Sequence, residues 1–343
     1  MTFSDILYVY EGKLVNPNGD PASASNAPRL NSNKYALVSP LRIKRNVRDF
    51  IYKYCDLNSL TFIDANGNNK YEYNVMFRLN DDNKHTTIDQ MFTAQGFNTN
   101  TKAEEVFRKF ADLRIFGAQL SFKAASNGAS ATHSPMHLTG AVQFDWGISV
   151  APVKILNAMF TSIMGSSGKE EVKGGNFGLH QSIIEHAIFT QYGTVDGFIP
   201  EYRDIWDNER VVQTDLKLLD FGVIFGFRGI RSSSKSGVYS RVYLRIDYDK
   251  QFTSGDVSHM IKWDKDAVEE SDWRGLYSYL TTIKDSVQTV HIWMDPSLAE
   301  SFTDGVYKGL CESCGQDKVN RISLDCSPKF TVSGEGKITG VEV

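Results

Sequence analysis

Residues 5–13 alternate apolar and β-forming side chains, with Ile6, Tyr8 and Tyr10 on one side and Leu7 and Val9 on the other, so a strand is predicted there. A loop dense in Asn, Pro, Gly and Ser runs on to Asn33. The period then changes. Ile43, Val47, Phe50, Ile51 and Tyr54 recur at helical spacing, with Ser39 at the N-cap position and Pro40 at the first helical position, which predicts a helix over 40–54. Residues 56–100 are polar and Asn-rich with one predicted strand at Tyr71–Leu79; a connection this long reads as an insertion. Val106, Phe110 and Leu113 share one face of a helix predicted over Ala103–Leu113, and Ala125–His133, small and polar, is expected to be mobile.

A strand is predicted over His137–Val150 and a helical or mixed segment over Ala151–Ile163. Gly165–Gly178 then holds five glycines with Lys169 and Lys173, and a strand follows at Ser182–Tyr192. Residues 151–181 therefore project between two strands. Thr214–Arg228 reads as a helix capped by Thr214 or Asp215, Arg231–Gly237 as a basic Ser-rich loop, and Val238–Tyr248 as a strand. Beyond Lys250 come a helix at Trp273–Ile283, a strand at Thr289–Trp293 and a strand pair in Thr331–Val343. Stripped of insertions the order is βαββαβ: an α+β fold of the ferredoxin-like or RNA-recognition type. Fold alone assigns no function.

Charge sharpens the picture. The 343 residues carry a net −4, but Arg29–Lys53 holds seven basic residues against the single acid Asp49, and Arg228–Arg245 holds five and no acid. The remainder therefore carries −15, which describes an electropositive face on an acidic body. Arg42, Lys44, Arg45 and Arg48 fall in the first turns of the 40–54 helix. Each cation there opposes the macrodipole by about 0.3–1 kcal/mol, unless an anion shares the site with the free N–H groups. A phosphate backbone is such an anion. With 41% hydrophobic residues the chain can build real cores, and no apolar run reaches the roughly 18 residues of a membrane span. Four cysteines and no secretory signal point to the cytosol.

Other motifs weigh less. Gly165-Ser-Ser-Gly-Lys169-Glu170 has two residues between its glycines where a nucleotide loop has four, and Glu170 where that loop needs Ser or Thr. Cys311, Cys314 and Cys326 offer three thiols with only His291 as a fourth zinc ligand, and His133 and His137 lie in a stretch unsuited to a helix. No metal site or cofactor is assigned. Asp20, Asp112 and Asp145 read first as turn caps or arginine partners, Asp112 with Arg114 or Arg42, and second as Mg²⁺ ligands. The strand at 182–192 lacks the aromatic-Gly-aromatic motif of base-stacking RNA-recognition domains, so any RNA is held by its backbone.

Five motifs occur in order: Asn16-Pro-Asn-Gly-Asp-Pro21, Ser39-Pro-Leu-Arg-Ile-Lys-Arg45, Asp112-Leu-Arg-Ile-Phe-Gly117, Leu138-Thr-Gly-Ala-Val-Gln-Phe144, and Arg231-Ser-Ser-Ser-Lys235. Together they resemble the backbone subunit of type I CRISPR Cascade complexes, in the I-B/I-C branch of the RAMP superfamily. Leu113 and Ala141 depart from its pattern, beside the polar positions rather than on them. The resemblance implies a palm (1–55, 137–150 and 182–250), a fingers insertion (56–136), a thumb insertion (151–181) and a C-terminal extension (251–343) that completes the palm. It implies a non-catalytic, cytoplasmic prokaryotic subunit that stacks head to tail along a CRISPR RNA and leaves the spacer free to pair with target DNA. Its partners would be copies of itself, a RAMP-type cap subunit, a large subunit, the repeat-processing endoribonuclease and a recruited helicase-nuclease. Carried over by position, the RNA contacts are Asn18, Arg42, Lys44, Arg45, Arg114, Gln143, Arg231 and Lys235, with Met159, Phe160 and Met164 as thumb wedges. The rival is a metal-dependent endoribonuclease of the type III backbone kind, using Asp20.

Overall fold

A computed structural model describes residues 3–23, 26–55, 62–63, 69–78, 87–98, 100–121, 135–162, 177–197, 209–230, 232–249, 252–322, 330–332 and 338–341. In chain order the elements are β1 (Phe3–Val15), β2 (Tyr35–Val38), α1 (Pro40–Tyr54), β3 (Phe62–Ile63), β4 (Asn69–Tyr71), α2 (Ile88–Ala94), α3 (Ala103–Lys109) and α4 (Ala111–Phe116). There follow β5 (Ala118–Leu120), β6 (Met136–Leu138), β7 (Val142–Phe144), β8 (Gly147–Pro152), β9 (Ile155–Ser162), β10 (Phe177–Asp196), α5 (Glu209–Phe225) and β11 (Val238–Tyr248). The chain closes with α6 (Arg274–Ile283), β12 (Val287–Met294), α7 (Glu300–Cys314), β13 (Val319–Arg321), β14 (Phe330–Val332) and β15 (Ile338–Val341).

The alternation in β1 places that strand at the centre of a mixed α+β fold. Ile6, Tyr8 and Tyr10 enter one core with Ile43, Val47 and Ile51 of α1 and Leu216, Leu219 and Val223 of α5. Leu7 and Val9 enter a second core with Leu276 and Leu280 of α6 and Val306 and Leu310 of α7. A strand that buries both faces needs cover on both, and residues beyond 250 supply the second layer. The sheet runs β13-β12-β11-β1-β10-β8-β2, with β7 and β9 also paired to β10. All its pairings are antiparallel except β12 with β13.

Several elements differ from their sequence patterns. The helix expected over Ala103–Leu113 is two, because Phe110 is extended (φ −121°, ψ 108°) and bridges Asn74. The strand expected from Tyr71 is regular only to Tyr71; past it, Glu72 and Asn74 donate their N–H groups to Arg108 and Lys109 carbonyls instead. His137–Val150 breaks into β6, β7 and β8. At the first break the Gly140 backbone presses on Phe116 and Gly117, and Gly117 itself adopts φ +66°. The helical-or-mixed segment at 151–163 is strand: β9 forms a hairpin with the first half of β10, from Ser162↔Phe177 to Ile155↔Ile184. The helix expected from Thr214 begins earlier, at Glu209, so Asp215 lies inside it and caps nothing. The Thr331–Val343 pair is present as β14 and β15. Residues 125–133, 165–176 and Cys326 lie outside the described residues. Among the described residues no helix is long and apolar enough to cross a membrane.

Candidate nucleic-acid interface

The N-terminus of α1 and the loop before β11 meet because β11 runs antiparallel to β1 and begins where β1 ends, at Gly12↔Val238. Lys13 N–H donates to Gly237 O (3.1 Å) and Asn16 N–H to Ser234 O (2.6 Å), which fastens the 232–237 loop to the chain entering α1. Within that entry, Asn18 Oδ1 accepts the Ser39 N–H (2.7 Å) and Asn18 Nδ2 donates to Gly19 O (3.1 Å). Asn18 therefore shapes the loop from inside. Ser39 makes no side-chain cap and the first turn of α1 contains no acid. The positive end of this 15-residue helix is left uncompensated.

Arg42 and Lys235 lie together there without an ion-paired carboxylate among the described residues, and Lys44, on the flank of α1 toward Gln143, also has none. Burial lowers the pKa of Arg42, which Asp49 partly opposes and Arg45 reinforces, and its Nε is buried without a hydrogen-bond partner. Burial also lowers Lys235, and the nearby Arg42 charge adds to it. Lys44 is pushed down to about 8 by burial and by Arg48; its Nζ donates to Gln143 Oε1 (2.8 Å) and stands 5.6 Å over the Phe116 ring. Gln143 projects from β7 and is exposed. Arg45 pairs with Asp49 at 2.8 Å. From Arg42 a cleft of about 270 Å³ continues past Arg45 and Lys53 to Tyr54 and Gly229. Like charges held together in a dehydrated place are unfavourable on their own. A polyanion that bridges them removes that cost.

The second basic segment contributes far less than its sequence charge. Arg245 is buried between Asp220 (3.0 Å) and Asp247, Arg241 binds Glu11 (2.7 Å), and Arg228 lies 3.7 Å from Asp295. Lys235 has the Arg42 charge of α1 beside it. Arg114 is a correction. It is 2% exposed, and its guanidinium donates to both oxygens of Asp215 (2.7 and 2.9 Å) and to the carbonyls of Glu72 (3.0 Å) and Phe107 (2.6 Å). With its donors spent inside the protein, Arg114 is not a surface contact. It locks α4 onto α5. Asp112, expected opposite Arg114 or Arg42, instead pairs with Arg48 (2.9 Å) and accepts the Met76 N–H (2.8 Å).

Asp20 accepts the Ala22 N–H (3.1 Å) and lies 3.9 Å from Arg29, and Asp145 sits in the turn between β7 and β8. Among the described residues no group of three or more His, Cys, Asp or Glu side chains could hold a metal ion. His291, the one candidate fourth zinc ligand, is engaged by Asp247 (3.0 Å) and Asn320 (3.2 Å). Arg231 and Met164 lie outside the described residues; Met159 and Phe160 are on β9. The sequence does not single out Trp146, which is 45% exposed in the β7–β8 turn with Arg29 stationed 5.9 Å from its ring centre. Its signal was the Asp145-Trp146-Gly147 turn, hidden inside an apolar run that reads as one strand.

The family model of CRISPR-associated protein Cas7 matches residues 3–284. A curated CRISPR-associated protein Cas7 from Haloferax volcanii is 24% identical over 331 residues, covering 86% of this chain and 87% of that one. Two solved chains, from a CRISPR RNA-guided surveillance complex and from such a complex in a pre-nicking state, are each 12% identical. They align with TM-scores of 0.48 and 0.44, over 88% of this chain in both cases and 92% and 94% of theirs. With the family model spanning most of its length, this chain belongs to the CRISPR-associated protein Cas7 family.

Proposed function

We propose that this protein is the CRISPR-RNA-binding backbone subunit of a type I surveillance complex, of I-B/I-C character, working in the prokaryotic cytoplasm without catalysing a reaction. The observation that carries the reading is Arg42 beside Lys235 at the uncapped start of α1, neither ion-paired with an acid among the described residues. Phosphates of the guide RNA would lie there, with Arg45 and Gln143 alongside and Arg231 in the adjoining loop. Asn18 would act by shaping that loop.

The sheet order β11-β1-β10-β7/β8, with α1 and α5 packed on one face, supports an RNA-recognition-like palm. Its other face is covered by α6 and α7, which leaves the backbone-gripping mode over base stacking on an open sheet. The region between α1 and β7 would be the fingers. The β9–β10 hairpin, carrying Met159 and Phe160 and leading to Met164, would be the thumb that wedges between nucleotides held by a neighbouring copy. Copies would stack head to tail, an open heterologous arrangement. They would assemble with the cap, large and processing subunits, and present the spacer to target DNA before a helicase-nuclease is recruited.

Co-expression with a matching CRISPR RNA is expected to yield a large RNA-containing assembly with excess absorbance at 260 nm. Arg42→Glu with Lys235→Glu should keep the circular dichroism spectrum and lose the RNA. RNA-loaded assemblies from that double variant would refute the phosphate site.

A further inference from the structure

The β7–β8 turn holds its tryptophan outward by construction. Asp145 N–H donates to Tyr192 O (2.9 Å) and Gln191 Nε2 donates to Asp145 O (2.7 Å), so both backbone polar groups of the residue before Trp146 are tied to β10. The Gly147 backbone then presses on the Tyr10 hydroxyl and on Gln191, where any Cβ would collide. With backbone pinned to the core on either side, the indole is left 45% exposed, although most large apolar side chains in this fold are buried.

Its position ties it to the cation cluster. Gly147 pairs with Val38 in the β2–β8 register, so Trp146 stands opposite Ser39, the N-cap of α1. Gln143, three residues back, binds Lys44. Arg29 sits over the ring, and its own backbone is fixed by Leu37 N–H donating to Arg29 O (2.9 Å). An exposed indole on a rigid mount, with Arg29 at its ring and Lys44, which has no acid partner among the described residues, bonded to Gln143 on the same turn's strand, matches a polymer that carries phosphates and flat π-faces together. A protein partner would need only an apolar complement and would leave those cations unexplained.

We infer that Trp146 is a stacking platform for one nucleobase of the bound RNA, with Arg29 backing the indole and the neighbouring phosphate at the start of α1. The assignment rests on the RNA-binding reading above. Stacking of this kind tolerates any base, since every base offers a π-face, so it adds grip without sequence preference.

The test uses the full chain as wild type, Trp146→Ala and Trp146→Phe, titrated with a mixed-sequence single-stranded RNA and with an abasic ribose-phosphate oligomer of equal length. Trp146→Ala should bind the RNA roughly five- to 150-fold more weakly, the span that loss of one base–aromatic stack carries. It should bind the abasic oligomer as wild type does, and Trp146→Phe should retain most of the affinity. The salt dependence should be unchanged, because no phosphate contact is removed. Equal RNA affinity in Trp146→Ala overturns the platform, including the case where self-association weakens instead and Trp146 proves to be a protein contact. An equal loss on both oligomers overturns it too. Wild-type protein that binds neither oligomer overturns the RNA-binding reading itself.

Discussion

Arg114 separates a fold-building role from a ligand-binding one, and the two predict opposite outcomes. Its guanidinium bonds both oxygens of Asp215 and two backbone carbonyls, all inside the protein. Arg114→Met strands the Asp215 charge in the core, which costs about 3–5 kcal/mol. It also orphans the Glu72 and Phe107 carbonyls, at about 1–3 kcal/mol each where no water reaches them. Total stabilities of about 5–15 kcal/mol are usual, so the variant should be unfolded or nearly so at 37 °C. Asp215→Leu, which strands the arginine instead, should be comparably severe. The double variant buries no charge and retains only the carbonyl penalty, so it should recover much of the loss. Urea denaturation of the four proteins completes the cycle, with an expected coupling of about 3 kcal/mol or more. Additive losses would refute the buried pair. So would Arg114→Met with wild-type stability and no RNA loading, which would restore the surface role that its motif position suggests.

On the proposed RNA-binding role, Lys44 should make RNA affinity depend on pH. Its pKa of about 8 lies below the ordinary 10.5, so the free protein loses this cation as pH rises through 8, and affinity should fall from pH 7 to 9. Lys44→Met should bind more weakly at pH 7 and flatten that fall, and an unchanged pH profile in the variant would count against the assignment. Stability moves the other way: the fold penalises the charged form, so the Lys44 contribution should improve between pH 8 and 10.5, visible as a rise in urea midpoint that Lys44→Met lacks. Gly117 sits at φ +66°, ψ −178°, a region reserved for glycine, with Leu138 O against the position of a Cβ. Gly117→Ala should cost at least about 1–3 kcal/mol, and an unchanged melting temperature would show that the α4–β5 corner relaxes freely.

What the sequence made legible was local. The alternation at 6–10 and the stripe at 43–51 need no distant partner to be read, and both elements formed as patterned. Charge was the opposite case. Arg241 and Arg245 look like free cations until Glu11, Asp220 and Asp247 are brought beside them, and Glu11 comes from 230 residues away. A motif match carried Arg114 to the surface for the same reason: its partner Asp215 is 101 residues distant. The helix at 300–314 is masked by Gly305 and Gly309. Gly309 is there to let the Tyr277 ring approach, a packing requirement with no sequence signature of its own.

The 20-residue β10 has a mechanical consequence. Its second half lies in the middle of the sheet, hydrogen-bonded to β1 through a dozen register pairs. Its first part runs on past the end of β1, paired with β9 as one arm of a hairpin. At about 3.3 Å per residue, the eight residues from Phe177 to Ile184 form a spar about 26 Å long that continues the central strand without a joint. A beam clamped over half its length turns a small rotation at the clamp into a large sweep at the free end. Whatever tilts the sheet therefore steers the Ser162–Phe177 end of the hairpin, and whatever pulls on that end applies torque to the core.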